Sequence, residues 1–427
     1  MINKNWMTGL GIVVIGLALC MGGVAADSTI TALGHAVHQR AAAGIEPLPV
    51  TWRTYGLAEI RDILFREATL PTAGYDVGYL LNFWASPVIA NLFEPLDEWL
   101  EKYPIPGFPD DFPPGMIQAL TVNGKLYGIP MRAVVVGLHY NKALFDERGV
   151  NVPTTIEELF QAAKDLSFVR EDGTRVYGLV FEGLPTLIGD PLICLARAWG
   201  DAGVITPDYR VVCDEMPMIT VVEYMRELYQ AGALPPDLLA FEVADKVRLI
   251  QAGQAAMTLA PCDYYLRFND PTISKVAGNV EFIMIPPAQE YKNVLPGSLS
   301  LVNFWSFVIP KNIPEERKEL AWKFIRELST REAQLYSALH NANAPTRLSV
   351  WTDPNFVEIA PYAKVAAQIL AIAQVPWPAF DQITKAQEVF GMEVHYAITG
   401  MKAVEEAMRA AANEIRRLLA AEGLLRE

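Results

Sequence analysis

The run Lys125-Leu-Tyr-Gly-Ile-Pro-Met-Arg-Ala-Val-Val-Val-Gly-Leu-His-Tyr140 decides how this chain folds. It contains several β-branched and aromatic residues and is longer than an average strand, so it predicts one long extended segment. Asn141 and Lys142 end the run. The stretch Ala143 to Arg148 predicts a short helix, and Gly149 ends it.

Strands and helices alternate on the N-terminal side of this run. The pattern predicts strands over Ser28 to Gly34, Pro49 to Tyr55 and Tyr75 to Leu81, and helices over Leu57 to Ala68 and Val88 to Tyr103. This alternation is typical of βαβ units in an open parallel sheet, so the predicted fold class is α/β. A proline-rich loop follows over Tyr103 to Gly115.

The C-terminal side of the run contains more of the same elements. We predict helices from Thr155 to Leu166, Val221 to Ala231, Val243 to Gln251, Glu315 to Leu328 and Ala403 to Leu419, and strands over Ala255 to Leu259 and Leu299 to Ile309. The chain of 427 residues is longer than a domain with a single hydrophobic core, yet no single Pro/Gly linker divides it into two consecutive domains. We therefore expect two lobes built from discontinuous segments.

Composition and motifs exclude several function classes. Lys and Arg number 35 against 49 Asp and Glu, a formal net charge of −14 that opposes binding to nucleic acid. The sequence contains no Gly-rich phosphate loop, no nucleophile elbow and no zinc-protease motif. His35 and His38 are three residues apart, but two potential ligands do not make a metal site. We predict neither a metal nor a cofactor, and no catalytic residue.

The first 26 residues are typical of a signal peptide. Lys4 precedes the apolar stretch from Leu10 to Met21, and Val24-Ala25-Ala26 supplies the small residues of a cleavage site. We therefore expect export to the periplasm or the extracellular face. A retained membrane anchor and lipidation at Cys20 are the alternatives.

Three cysteines remain after this segment. The spacing of Cys194 and Cys213 permits a disulfide in an oxidising compartment. Buried thiols, including Cys262, are the other interpretation.

Six short motifs occur in the order typical of one protein family. They are Leu126–Pro130 with His139–Phe145, Gly149–Leu159, Gln251–Met257, Ala321–Ile325, Asn343–Arg347 and Gly400–Ala407. With these motifs the chain resembles the extracellular solute-binding proteins of family 1, the maltose-binding-like class. Each motif alone is weakly specific. Together they occur in the family's order, and the resemblance spans nearly the whole mature chain.

The resemblance implies a two-lobed periplasmic-binding-protein-like fold with a hinge of crossing strands. The N-terminal lobe is expected to contain residues 27–133 and 288–341, and the C-terminal lobe residues 134–282 and 346–427. The crossings are expected near 131–137, 282–287 and 342–347. The family's role implies a monomer that captures a small ligand, here a sugar or oligosaccharide, and delivers it to an ABC permease.

Candidate ligand-binding residues lie where predicted strands end, because ligands of open α/β sheets bind beyond the carboxyl ends of strands. Aromatic side chains suit the C–H faces of sugars, and charged or amide groups suit the hydroxyls. The candidates are His35, His38, Asn82, Trp84, Arg132, Asp263, Tyr264, Asn303, Trp305 and Trp377. For each of them a role in the core, a cap or a hinge ion pair is the competing interpretation.

Other functions stay open at this point. An exported carbohydrate-active enzyme would need two carboxylates at a set separation in the cleft. A polyamine site would need several acidic groups, and a phosphorylated polyol would need Arg, Lys or helix N-termini. A receptor without a transport role is a further possibility within the same fold.

Overall fold

The computed structural model describes residues 28–426. This part of the chain contains eleven strands and eighteen α-helices. The predicted signal peptide, with Cys20, lies outside these residues. Within them, no helix combines the length and the apolar character needed to cross a bilayer.

The elements follow one another as an α/β chain. The strands are β1 (Ile30–Gly34), β2 (Val50–Thr54), β3 (Val77–Leu81), β4 (Thr121–Val122), β5 (Lys125–Leu126), β6 (Ile129–Asn141), β7 (Phe168–Val169), β8 (Arg175–Val180), β9 (Ala255–Pro261), β10 (Val280–Ile283) and β11 (Val302–Val308). The helices are α1 (Ala36–Ala42), α2 (Leu57–Ala68), α3 (Ile89–Leu92), α4 (Asp97–Lys102), α5 (Pro114–Ala119), α6 (Lys142–Arg148), α7 (Ile156–Asp165), α8 (Gly189–Ala196), α9 (Met216–Gln230), α10 (Val243–Gln251), α11 (Tyr264–Phe268), α12 (Glu315–Leu328), α13 (Arg331–Asn341), α14 (Leu348–Trp351), α15 (Pro354–Ile359), α16 (Ala363–Ile372), α17 (Ile383–Ile398) and α18 (Val404–Ala421).

Strand β6 joins two sheets into one. The strand order is β2-β1-β3-β11-β6-β9-β8-β7, and β10 also pairs with β6. The first half of β6 pairs antiparallel with β11, and the second half pairs antiparallel with β9 and β10. The long extended run predicted from the sequence is thus a 13-residue strand shared by both halves of the molecule.

Two separate hydrophobic cores lie on either side of the middle of β6. Val135 belongs to the core of the N-terminal lobe, while Val136 and Leu138 pack against that of the C-terminal lobe. The first crossing between the lobes therefore falls between Val135 and Val136. Because a strand alternates its side chains between two faces, one continuous segment can enter both cores without a break.

The other two crossings differ from the expected positions. Phe282 packs in the N-terminal core, Ile285 and Leu301 pack in the C-terminal core, and the chain returns to the N-terminal core at Val302. It passes back to the C-terminal core between Val375 and Trp377 rather than near 342–347. Residues 288–301 thus move to the C-terminal lobe, and residues 346–373 to the N-terminal lobe.

Packing explains the corrected third crossing. The segment after α13 runs beside β6, where the Ala133 amide donates to the Ala344 carbonyl and the Thr346 hydroxyl donates to the Pro130 carbonyl. Helices α14 to α16 then bury Trp351 and Phe356 in the N-terminal core. Local sequence does not reveal this, because the partner surface is more than 200 residues away in the chain.

The structure also corrects one predicted helix and decides between the two interpretations of the cysteines. The single helix predicted over Val88 to Tyr103 is two short helices, α3 and α4, separated by residues 93–96, where Phe93 forms a bridge to Pro310. The disulfide permitted between Cys194 and Cys213 is not formed, since both cysteines and Cys262 are buried free thiols. Burial raises the pKa of the Cys194 thiol to about 12, so this thiol is unreactive.

Arg197 ties the last two crossings to the C-terminal lobe. Its guanidinium is fully buried and donates to the carbonyls of Ala202, Ser300, Gln374 and Val375 at 2.9–3.4 Å. Residues 300 and 374–375 flank the two crossings, so the Arg197 side chain holds both backbone segments in place. A buried cation that is satisfied by carbonyl oxygens is costly to remove, because several acceptors lose their donor together.

We expect Arg197→Met to lower the free energy of unfolding by about 2–4 kcal/mol, because it leaves these buried carbonyl groups unpaired. Urea denaturation followed by circular dichroism measures the change. Arg210→Met is the matched control, since Arg210 is half-exposed and pairs with Glu215 on the surface. Equal stability of the two variants would show that Arg197 does not secure the crossings.

Candidate functional site

The ends of strands from both lobes meet at a cleft beside the middle of β6. In the N-terminal lobe β1 and β3 are parallel neighbours and end at Gly34 and Leu81. In the C-terminal lobe β8 and β9 are parallel and end at Val180 and Pro261, and Pro261 pairs with Val136 of β6. Loops that follow these strands therefore converge on the crossing, where an open α/β sheet binds ligands.

A cavity of about 130 Å³ forms the floor of this cleft. Val134 and Val136, two positions apart on one face of β6, line it together with Leu301 and Asn303 at the second crossing. The remaining walls come from the C-terminal lobe. These wall residues are Glu182, Leu187, Asp190, Pro191, Lys246, Leu259, Ala260 and Pro261.

A buried ion pair forms one wall of the floor cavity. The Lys246 ammonium is about 1% exposed, pairs with the Glu182 carboxylate and donates to the Leu259 carbonyl at 2.7 Å. Lys246 comes from helix α10, and Glu182 follows strand β8. Because the partners satisfy each other, the wall presents polar atoms to the cavity without a net charge.

A second polar cluster joins the two lobes at the floor. The Asn303 amide donates to one oxygen of Asp190 at 3.1 Å, and the Trp377 indole donates to the other at 2.8 Å. Burial raises the pKa of Asp190 to about 6, although both hydrogen bonds act to lower it. The Asn303 side-chain oxygen has no hydrogen-bond partner among the described residues, so it is an available acceptor.

Arg132 and Asp263 form a third polar group, next to the cavity. The Arg132 guanidinium donates to Asp263 and to the side-chain oxygen of Asn343, both at 3.2 Å. Arg132 is on the same face of β6 as Val134, and Asp263 follows the end of β9. The pair therefore bridges the two lobes at the edge of the cleft.

A cluster of buried aromatic rings packs in the N-terminal lobe. Trp84 lies edge-on to Trp305 with ring centroids 5.4 Å apart, and Trp305 lies edge-on to His38 at 4.5 Å. His38 stacks on Tyr79 at 4.2 Å. Burial, followed by the charge of Arg132, lowers the pKa of His38, so this ring stays neutral within the cluster.

One further hydrogen bond links the two lobes. The Ser86 hydroxyl, in the loop after Trp84, donates to the Asp381 carboxylate at 2.7 Å. Ser86 belongs to the N-terminal lobe, and Asp381 lies next to Phe380 of the C-terminal core. The described residues contain no group of three or more His, Cys, Asp or Glu side chains arranged to hold a metal ion.

Comparison with known proteins agrees with this architecture. Residues 70–335 match the model of the family described as bacterial extracellular solute-binding protein. This chain belongs to that family. A probable ABC transporter-binding protein of Deinococcus radiodurans is 22% identical over 315 residues, which cover 71% of this chain and 72% of the relative.

Solved structures of solute-binding proteins share the fold. The maltose-bound T. maritima MalE3 superposes with a TM-score of 0.77 at 24% identity, covering 92% of this chain and 100% of that one. A solute-binding protein of Agrobacterium radiobacter K84 in complex with ribitol has a TM-score of 0.74 at 23% identity, covering 91% and 98%. One from Agrobacterium vitis S4 with D-mannitol has a TM-score of 0.71 at 21% identity, covering 92% and 99%.

The fold brings sequence-predicted residues from distant segments together, and Asn303 lines the cavity at the cleft floor. Arg132 pairs with Asp263, Asn303 joins Trp377 through Asp190, and Trp84 packs on Trp305. Tyr264 follows Asp263 at the start of α11 and is partly exposed. These contacts link residues that are 113–221 positions apart.

Four of the predicted residues are structural supports. His38 is fully buried, and its Nδ1 accepts from the His35 amide, while His35 Nδ1 accepts from the Val37 amide, so the two histidines cap helix α1. Asn82 is buried and accepts from the Phe304 amide. Trp377 is about 1% exposed and donates to Asp190, so its ring does not overhang the cleft.

Sequence reasoning missed Glu182, Asp190 and Lys246. Glu182 follows a strand end, as the predicted candidates do, so the same rule would have included it. Lys246 lies on a helix face that is otherwise buried and apolar, beside Val247, and a cation there indicates a specific partner. Asp190 carries no local signal, because its neighbours Trp377 and Asn303 come from distant segments.

We expect Asp190→Asn to remove a pH-dependent part of the stability. The folded state holds the Asp190 proton up to about pH 6, whereas the unfolded chain releases it near pH 4. The wild type therefore loses up to about 3 kcal/mol relative to the variant as the pH rises from 4 to 6. Denaturation curves at several pH values measure this difference, and a pH-independent difference would contradict the burial argument.

Proposed function

We propose that this protein binds a carbohydrate or polyol in the cleft between its lobes and delivers it to an ABC import permease. The observation that carries the proposal is the cleft floor, where polar groups from both lobes surround one cavity. Lys246 with Glu182, and Asn303 with Asp190, line this cavity, and the Arg132–Asp263 pair lies beside it. A ligand that hydrogen-bonds to both lobes stabilises the closed arrangement.

Charge balance supports a ligand whose floor-bound part is uncharged. Both cations at the floor, Arg132 and Lys246, already have a carboxylate partner. The pairs leave neither the excess of acidic groups that a polyamine needs nor the free cations that a phosphate needs. Hydroxyl groups can donate to the carboxylates and accept from the cations, so a polyol uses both members of each pair.

The arrangement supports binding rather than hydrolysis. Glycosidases need one protonated and one ionised carboxyl group on either side of a scissile bond. Here Glu182 and Asp263 are each held by a cation, and Asp190 is bonded by Asn303 and Trp377.

We infer that the exported protein acts as a monomer and presents its closed form to the permease.

A ligand screen by thermal shift tests the proposed function. We expect at least one sugar or polyol to raise the melting temperature progressively with concentration, because it binds only the folded state. Hexitols, pentitols, hexoses and disaccharides form the test set, and spermidine and sugar phosphates form the comparison set. A shift with only the comparison set would overturn the assignment.

We expect Asn303→Leu to weaken binding of the ligand found in that screen by at least about tenfold, because a buried polar contact of the ligand is lost. Isothermal titration calorimetry measures the dissociation constant. The matched control is Asn355→Leu, since Asn355 is exposed on α15 in the N-terminal lobe. Affinity of the Asn303 variant within twofold of the control would remove this residue from the site.

A further inference from the structure

A second concave surface lies beside the cleft. It is a groove of about 330 Å³ whose walls come from both lobes. Asp263, Leu266 and Arg267, at and after the start of α11, form the C-terminal side. Asp263 pairs with Arg132, and the floor residues Pro261 and Val134 are each two positions from this pair, so the groove lies close to the floor cavity.

The N-terminal lobe supplies the opposite wall of the groove. Arg40 comes from the last turn of α1, and His340 comes from the end of α13. Asn341 is fixed between them because its amide donates to the carbonyls of Ala41 and Ala43. Neighbouring elements of one lobe thus hold the basic groups in place.

The groove is basic in a protein that is strongly acidic. Asp263 is its one acidic lining residue, and this carboxylate is already paired with Arg132. Arg40 and Arg267 are both exposed, and neither forms a salt bridge to a carboxylate in the described part of the chain. The formal net charge of the whole protein is −14, so the local excess of cations is opposite to the general sign.

Apolar groups complete the groove. Leu266 is 41% exposed and Ile359 is 48% exposed, and both line it together with Tyr362. These groups suit the C–H face of a sugar ring, while the cations suit a carboxylate or another anionic group. The groove therefore offers apolar contact and positive charge on the same surface.

The volumes of the two cavities suggest that a ligand uses both the groove and the cleft floor. The floor cavity, at about 130 Å³, is smaller than the roughly 300–1,000 Å³ of ordinary ligand pockets, whereas the groove is within that range. A ligand longer than one ring needs space beyond the floor. The groove is the neighbouring concave surface with walls from both lobes, since Asp263 lines the groove and Pro261 lines the floor.

We propose that the groove binds the carboxylate-bearing end of an acidic sugar, with Arg40 and Arg267 as the anion contacts and a neutral ring on the cleft floor. This inference rests on the proposed carbohydrate-binding function. It assigns the ligand class as an oligosaccharide of at least two rings that ends in a uronic acid. Since the anion contacts are exposed, their contribution falls as salt is added.

Calorimetry with matched ligand pairs tests the inference. Each pair consists of a neutral hexose disaccharide and the same disaccharide with a uronic acid as its terminal ring, over several linkages. For the linkage that binds, we expect the acidic member to bind about fivefold or more tightly, and the preference to shrink at high salt. In the double variant Arg40→Gln, Arg267→Gln the ratio of the two affinities falls to near one.

The control variant is Arg409→Gln, which removes an exposed arginine from α18 and should keep the wild-type ratio. Equal affinity for both members of every pair that binds overturns the groove assignment while leaving the carbohydrate function intact. Binding of free glucuronate or citrate as tightly as the acidic disaccharide also overturns it, because the neutral ring then contributes nothing. If no carbohydrate binds at all, both proposals fail together.

Discussion

One strand that belongs to two hydrophobic cores sets the architecture of this molecule. The first half of β6 is buried against the N-terminal lobe and the second half against the C-terminal lobe. The other two crossings, at Leu301–Val302 and Val375–Trp377, lie beside its midpoint and are held by the Arg197 guanidinium. The lobes therefore meet at a narrow region of backbone, where small changes in dihedral angles can alter their separation, as in other hinge-closing proteins.

The chemistry of the cleft follows from this meeting point. Loops after the strand ends of both lobes place charged groups at the crossing, and burial there requires each charge to find a partner. The result is a set of paired charges, Lys246 with Glu182 and Arg132 with Asp263, around a small cavity. Such pairs can exchange hydrogen bonds with hydroxyl groups at little electrostatic cost, which is the property that a sugar-binding site needs.

Much of this was predictable from sequence, and the remainder depended on distant contacts. The helices Val243–Gln251 and Glu315–Leu328 have the predicted bounds, because their apolar periodicity is local. The strand-end rule selected Arg132 and Asp263 as candidates, with a hinge ion pair as the competing role of Arg132, but no local pattern identified its partner 131 residues away. The third crossing was misplaced because residues 346–373 pack on the N-terminal core through tertiary contacts that no local pattern records.

The proposed function requires the two lobes to move about the shared strand β6 when a ligand enters the cleft. Small-angle X-ray scattering of the purified protein, without ligand and saturated with the sugar or polyol identified by calorimetry, measures this most directly. The account predicts a smaller radius of gyration in the saturated sample, because the ligand draws both lobes onto itself. Superimposable scattering curves at proven saturation would contradict it.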